Sequence, residues 1–305
     1  MDFISFRAYQ GDAFIIRDNN TNILIDGGMP NTFGQIKSYI EEQPLDAVFV
    51  THVDYDHLGG IFNLITDKDF EVNTCGFYMN HPEFPSEYQG EKVGFKHGHT
   101  LKDLLEKRGG TFKSITAEQK LKFGEIDVLV LSPEKETIKN LYLNWNKNIT
   151  YENGRLKYKS KQTQSGDIIN SSSSILLISC HNSKILMLGD SHAETAYKCI
   201  SNLGFNAENK LSLSLLKLSH HGSKHNTSID LLNIIDCNNF YISTNGGRYN
   251  HPDVETIQAL ENRANKLNTT FNVYLNYDIE EDIRHRCDFK ITGLIFIEQC
   301  SLECS

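Results

Sequence analysis

Short apolar runs broken by polar turns fill the first fifty residues. "FISFRAY", "AFIIRD" and "NILIDGG" are apolar or alternating over the length of a strand, and "QGD" and "NNTN" between them carry turn chemistry. An antiparallel meander is expected there. A helical stretch over 33–42 stops before Pro44, and "LDAVFV" after it reads as a buried strand. A helix is expected to begin at "LGGIFNLIT". The run from Phe70 to Gly124 predicts strand "TCGFYMN", a polar loop, helix "TLKDLLEKRG" and strand "GTFKSIT", and "IDVLVLSP" follows as another strand. Residues 134–167 are polar and rich in Lys and Asn, and read as a loop excursion between parts of one sheet system. The second half restarts with a hairpin pattern, "SSILLISC" and "SKILMLGD". It continues with a helix at 194–203, strand "SLLKLS", helix "SIDLLNII", strand "NFYIST", a helix at 254–266, and strands "FNVYLNYD" and "TGLIFIEQ". No repeat of solenoid period is present. Strands followed by helices in both halves predict an α/β fold, an αββα sandwich of two mixed sheets in one domain spanning 1–305.

Composition narrows this picture. A chain of 305 residues with 39% hydrophobic and 23% charged positions can bury one large α/β core. The net charge of −9 counts against a broad nucleic-acid surface but leaves room for a local basic groove. One candidate is the loop "WNKNITYENGRLKYKSKQ". There Trp145, Tyr151 and Tyr158 are positioned to stack bases, and Lys147, Arg155, Lys157, Lys159 and Lys161 to meet phosphates; a solvated loop is the plainer reading. "MDFISFRAYQ" lacks the basic start and long apolar run of a signal peptide, and no window approaches the ~20 apolar residues of a membrane span. Seven scattered cysteines with no C-x-x-C pair suit reduced thiols, so a cytoplasmic location with no membrane partner is expected.

Four clusters of ionisable residues follow predicted strands. "THVDYDHLGG" places His52, Asp54, Asp56 and His57 within six residues. On an extended turn i and i+2 share a side, so His52 and Asp54 suit one metal ion and Asp56 and His57 a second. The Gly59–Gly60 pair would let the backbone turn tightly beside the ions. "GDSH" places Asp190 at a strand end, where a turn or helix cap is the ordinary role. "SHHGSKHN" carries His220 and His221, adjacent and expected to point apart, so that at most one need be a ligand. "NGGRYNHPD" carries His251. A two-metal site needs about six protein ligands, and His52, Asp54, Asp56, His57, Asp190 and His221 or His220 supply them, with Asp190 bridging.

These motifs together resemble the metallo-β-lactamase superfamily. "THVDYDHLGG" is similar to its H-x-D-x-D-H signature in the form used by the ComEC competence family. "YQGDAFIIR" and "NILIDGG" resemble its opening strands, with Asp26 at the first-motif position. "NSSSSILLIS", "KILMLGD", "LLKLSHHGSKHN" and "STNGGRYNHPD" resemble the later motifs. The stretch from about Phe70 to Ser165 aligns loosely. Two departures from the wider superfamily stand out: Asp54 replaces the second histidine of H-x-H-x-D-H, and "NSSSS" stands where a third histidine of the first metal site is usual.

The resemblance implies two divalent ions, Zn²⁺ or Mn²⁺, and hydrolysis by a metal-activated water, most plainly of a phosphodiester in nucleic acid or in a small molecule. Asp56 is the candidate to hold the nucleophile as well as one ion. His251 and Lys224 are candidates for supporting or substrate-phosphate contacts, and Ser223 and the glycine of "HHGS" for a phosphate cradle. Two rivals stand beside this reading. One is a hydrolase of a small ester, cyclic nucleotide or lactone. The other is an effector subunit that needs a protein partner, for instance in a phage-defence system.

Overall fold

The computed structural model describes residues 1–80, 94–147, 149–152, 155–158 and 165–304. The opening meander is as expected: β1 (Asp2–Ser5), β2 (Phe14–Asp18) and β3 (Thr21–Ile25) pair antiparallel in sequence order. The chain then passes through α1 (Phe33–Ile40) to β4 (Ala47–Phe49), which pairs parallel with β3. After α2 (Tyr55–Thr66) come β5 (Gly76–Tyr78), α3 (Gly94–Lys107) and β6 (Phe112–Lys113), again added in parallel. With β19 (Ser301–Glu303) antiparallel on the outside of β1, they form a mixed seven-stranded sheet.

The second sheet has eight strands. It opens with β7 (Lys120–Phe123) and β8 (Ile126–Ser132) and continues with the antiparallel hairpin of β11 (Ile175–Cys180) and β12 (Ser183–Met187). Four parallel additions follow: β14 (Leu215–Lys217), β16 (Asn239–Ile242), β17 (Phe271–Leu275) and β18 (Leu294–Glu298). Two short pairs lie outside both sheets: β9 (Ile149–Glu152) with β10 (Arg155–Tyr158), and β13 (Leu211–Ser212) with β15 (Ile235–Asp236). The remaining helices are α4 (Lys135–Lys147), α5 (Ser165–Ser171), α6 (Ala193–Asn202), α7 (Ile229–Asn233), α8 (Val254–Leu267) and α9 (Glu280–Arg286).

Three apolar layers account for the packing. Inward residues of both sheets, among them Phe3, Phe14, Phe49, Val128, Ile178 and Tyr241, make the central core. Outward residues of the first sheet, such as Ile15, Leu24 and Val48, meet Ile36 of α1, Leu58, Ile61 and Leu64 of α2, and Leu101 and Leu105 of α3. Outward residues of the second sheet meet Ile200 of α6, Leu231 of α7, Ile257 and Leu260 of α8, and Ile283 of α9. The αββα sandwich follows from strands that bury both faces and helices that bury one stripe.

The sequence reading needs three corrections here. The span 134–167 is not simply a loop: its described residues include α4, the β9–β10 pair and the start of α5. The side chains proposed there for nucleic acid (Trp145, Lys147, Tyr151, Arg155, Lys157, Tyr158, Lys159, Lys161) lie outside the described ones. Further, α2 starts at Tyr55, so Asp56 and His57 sit in its first turn and not on an extended turn. Lastly, Gly59 and Gly60 lie inside α2 and serve close approach: a Cβ on Gly60 would fall 2.1 Å from the Gly27 carbonyl oxygen. Among the described residues, no helix is long and apolar enough to cross a membrane.

Candidate metal centre

Strand ends from both sheets converge on one site. His52 follows β4, Asp54 is the N-cap of α2, and Asp56 and His57 open that helix. An N-cap aspartate ordinarily accepts from the helix's first amides. Asp54 makes no such bond, so its carboxylate is not committed to the helix. Across the sandwich, Asp190 follows β12, and His220 and His221 follow β14 in a tight turn over Ser219–Gly222.

Asp190 sits between the imidazoles. Its Oδ1 is 3.6 Å from His57 Nε2, and its Oδ2 is 3.7 Å from His52 Nε2 and 3.6 Å from His220 Nε2. Asp54 Oδ2 lies 3.7 Å from His52 Nε2. Ligand atoms of His52, His57 and Asp190 lie within 4.8 Å of one another, as do those of Asp56, His57 and His221. His220 and His221 both adopt left-handed backbone conformations, φ 47° and 56°. Two such residues in succession are costly without glycine. Their effect is that both rings serve the site: His220 faces Asp190, and His221 belongs with His57 and Asp56. Both rings of the pair thus face the cluster, where the sequence left open which of them would.

Buried donor atoms without partners mark the centre. His52 Nε2, His57 Nε2, His221 Nε2 and Asp190 Oδ1 are all buried and make no hydrogen bond within the protein. Buried polar atoms are ordinarily paired. Three imidazole nitrogens and a carboxylate oxygen left open in two adjoining clusters fit the donor sets of divalent cations.

The opposite ring nitrogens are held. Asp26 is buried, and its Oδ2 accepts from the Thr51 hydroxyl at 2.7 Å and pairs with His57 Nδ1 at 2.8 Å, while its Oδ1 accepts from the Thr51 amide at 2.8 Å. Thr51 Oγ1 is also 3.0 Å from His52 Nδ1. With Asp26 ionised, the threonine hydroxyl donates to it and accepts from His52 Nδ1–H. His57 Nδ1–H donates to the same carboxylate. With a cation bound, both rings would present bare Nε2 atoms to it, the arrangement that orients metal-binding histidines. His221 Nδ1 donates to the Ser243 carbonyl at 2.8 Å, with the same consequence. Asn226 donates to the Asp190 and Ser191 carbonyls and lies 3.3 Å from His220 Nδ1. Ser173 accepts from the Asp190 amide at 3.0 Å.

The electrostatics agree. Burial, with Asp56 and Asp190 nearby, pushes the Asp54 carboxyl up to about 7. Burial and the adjacent His57 hold His52 well below the usual imidazole range. Burial opposes charge on His57 too, but Asp190 and Asp26 outweigh it and hold the ring well above that range. A cation would reverse this pattern, because it favours ionised carboxylates and bare imidazoles together.

The centre forms one wall of a cavity of about 710 Å³. Asp54, Asp56, Asp190 and His220 line the metal side, and Ser223, Lys224, His225, Tyr249 and His251 line the rest. His251 is drawn into the cluster, its ring 5.5 Å from that of His220. Lys224 lies at the rim with its ammonium paired to Glu255 at 2.7 Å. Ser223 is buried and close behind His220. Sequence reading missed Thr51, Ser173, Asn226, Asp12 and Lys217. A lysine inside the apolar run "SLLKLS" was the one visible signal, since buried lysines require partners.

Residues 6–119 match the family model of the metallo-beta-lactamase superfamily. Similar solved structures include the metallo-beta-lactamase fold protein YhfI from Bacillus subtilis, 11% identical, with TM-score 0.49 over 99% of this chain and 100% of that one. Zn²⁺-bound PqqB from Methylobacterium extorquens is 10% identical, with TM-score 0.49 over 99% and 100%. A diphosphatase from the PhnP family is 12% identical, with TM-score 0.43 over 96% of this chain and 83% of that one. No curated protein sequence matches the chain. The family match lies within residues 6–119, and the chain's two mixed sheets flanked by helices are an architecture consistent with the metallo-β-lactamase fold.

Proposed function

We propose that this protein is a metal-dependent hydrolase of phosphodiester bonds, of the ComEC-like kind in its motifs. The observation that carries the reading is the set of four unpartnered buried ligand atoms, on His52, His57, Asp190 and His221, in two clusters that share His57. In this reading His52, Asp54, Asp190 and His220 would hold one ion, with His220 in place of the third histidine that the sequence lacks before Asp190. Asp56, His57, Asp190 and His221 would hold the other. Two divalent cations held there, Zn²⁺ or Mn²⁺, would supply Lewis-acid activation of a water and positive charge toward a phosphoryl group.

The chain's own groups do the rest. Asp190 spans the two positions. Asp56 orients the attacking water by accepting its hydrogen. His251, held below the usual imidazole range at about 4 by burial and by the neighbouring His221 and His220, is neutral at pH 7 and available to accept a proton or contact the leaving oxygen. Lys224 contacts a substrate phosphate only after leaving Glu255. Substrate enters a cavity of about 710 Å³, room for one nucleotide-sized unit.

The test is hydrolysis of bis(p-nitrophenyl) phosphate and of single- and double-stranded DNA, with Mn²⁺ or Zn²⁺ and an Asp56→Ala control. Metal-dependent cleavage lost in the control is expected. Metal-loaded protein that leaves every phosphodiester intact but opens a lactone or carboxylic ester would transfer the reading to small-molecule esters.

A further inference from the structure

Lys217 is the last residue of β14, four positions before His221, and is fully buried. Its ammonium pairs with Asp12, itself 1% exposed. An ion pair so deep is not a cheap way to stabilise a core, since apolar residues of similar size usually do as well. Its position gives it another use. The second oxygen of Asp12, Oδ1, has no hydrogen-bond partner and lies 3.4 Å from His221 Nδ1, the nitrogen that donates to Ser243. The turn that carries Asp12 touches the other half of the same metal position. The Asp12 amide donates to the Asp56 carbonyl at 3.3 Å, and the Ser243 hydroxyl donates to the Gly11 carbonyl at 3.1 Å. Gly11 is pressed so close to Asp56 that a Cβ there would fall 1.8 Å from its carbonyl oxygen.

We propose that Lys217 and Asp12 form a buried lysine–aspartate–histidine chain that positions His221, and through the Gly11–Asp12 turn Asp56, for the second metal ion. Asp12 lends negative charge behind the His221 ring, which keeps its proton on Nδ1 and makes Nε2 a stronger donor. Lys217 keeps that carboxylate charged and fixed away from water. Both are positioning residues, since neither reaches the cavity. This inference rests on the metal reading of the site.

The test is Co²⁺ titration of metal-free protein, followed by visible absorption and by calorimetry. It compares wild type with the double variant Asp12→Asn, Lys217→Met, which removes both buried charges and so leaves none unpaired. Expected is one site with unchanged affinity and one weakened about 10–100-fold, with an altered cobalt spectrum. Asp12→Asn alone, titrated at low temperature, serves if the double variant does not fold, with the same expectation. Two sites of wild-type affinity and spectrum in these variants overturn the inference alone. Wild-type protein that takes up no Co²⁺ overturns the metal reading, and this inference with it.

Discussion

Asp26→Asn reverses a proton chain while barely changing a shape. Asp26 has φ 58°, a conformation that asparagine tolerates well, so the backbone is not the issue. The new amide oxygen still accepts from the Thr51 amide, as Oδ1 does now at 2.8 Å. The new NH₂ replaces the Oδ2 that accepts from Thr51 Oγ1 and His57 Nδ1. It donates where a carboxylate accepted. The Thr51 hydroxyl then turns to His52 Nδ1, 3.0 Å away, and His57 Nδ1 becomes an acceptor. Both protons move to Nε2, onto the atoms that face the metals. The hydrogen-bond count is unchanged, so the stability loss is that of charge assistance, about 1–3 kcal/mol. Metal affinity falls about 10–100-fold for each affected histidine. Metal content by mass spectrometry, Zn²⁺ calorimetry and thermal unfolding of the metal-free variant separate the two effects. A folded Asp26→Asn protein with two ions at wild-type affinity would refute the tautomer argument.

Two further expectations concern acid and packing. Metal binding should release protons: Asp54 titrates at about 7 and His57 is held protonated above the usual imidazole range, and both must be bare to bind an ion. The sign follows directly, with affinity falling as pH drops below about 7 and levelling above the His57 range. Calorimetry in buffers of different ionisation enthalpy reads the proton count, and pH-independent affinity between 5 and 7 contradicts it. Gly11→Ala should be destabilising by about 1–3 kcal/mol or more, because its Cβ meets backbone at Asp56 and not a side chain that can swing away. A melting temperature within about 0.5 °C of wild type, about 0.3 kcal/mol for a chain of this size, would show that the turn yields freely.

The meander, the hairpin and the parallel additions were legible because apolar runs such as "AFIIRD" and "ILLIS" announce strands with both faces buried. The early start of α2 was not, because Tyr55 and Asp56 carry no apolar periodicity and the helix begins where the site needs it. α4 hid behind the Lys- and Asn-rich composition of 135–147, although Ile138 and Leu141 lie three apart and are buried. The six ligand candidates could be read from local motifs at strand ends. Their convergence could not, since Asp190 and His52 lie in different sheets and 138 positions apart, a separation read straight from their numbers. Asp12 and Lys217 were illegible for a stronger reason. Lys217 shows only as a lysine in an apolar run and Asp12 looks ordinary, and only tertiary structure brings them together across 205 positions.

The pairing of β19 with β1 has a bearing on biosynthesis. Phe3 lies opposite Leu302, so one edge of the first sheet is closed by a strand that is synthesised only after the whole of the second sheet. Until then β1 offers an unpaired edge, Asp2–Ser5, whose hydrogen bonds face outward. The growing chain can complete β1 to β6 early, yet it carries a sticky margin through the making of the whole second sheet. Chaperone demand should therefore persist until β19 emerges, and deleting Ser301–Glu303 should show first as aggregation of nascent protein.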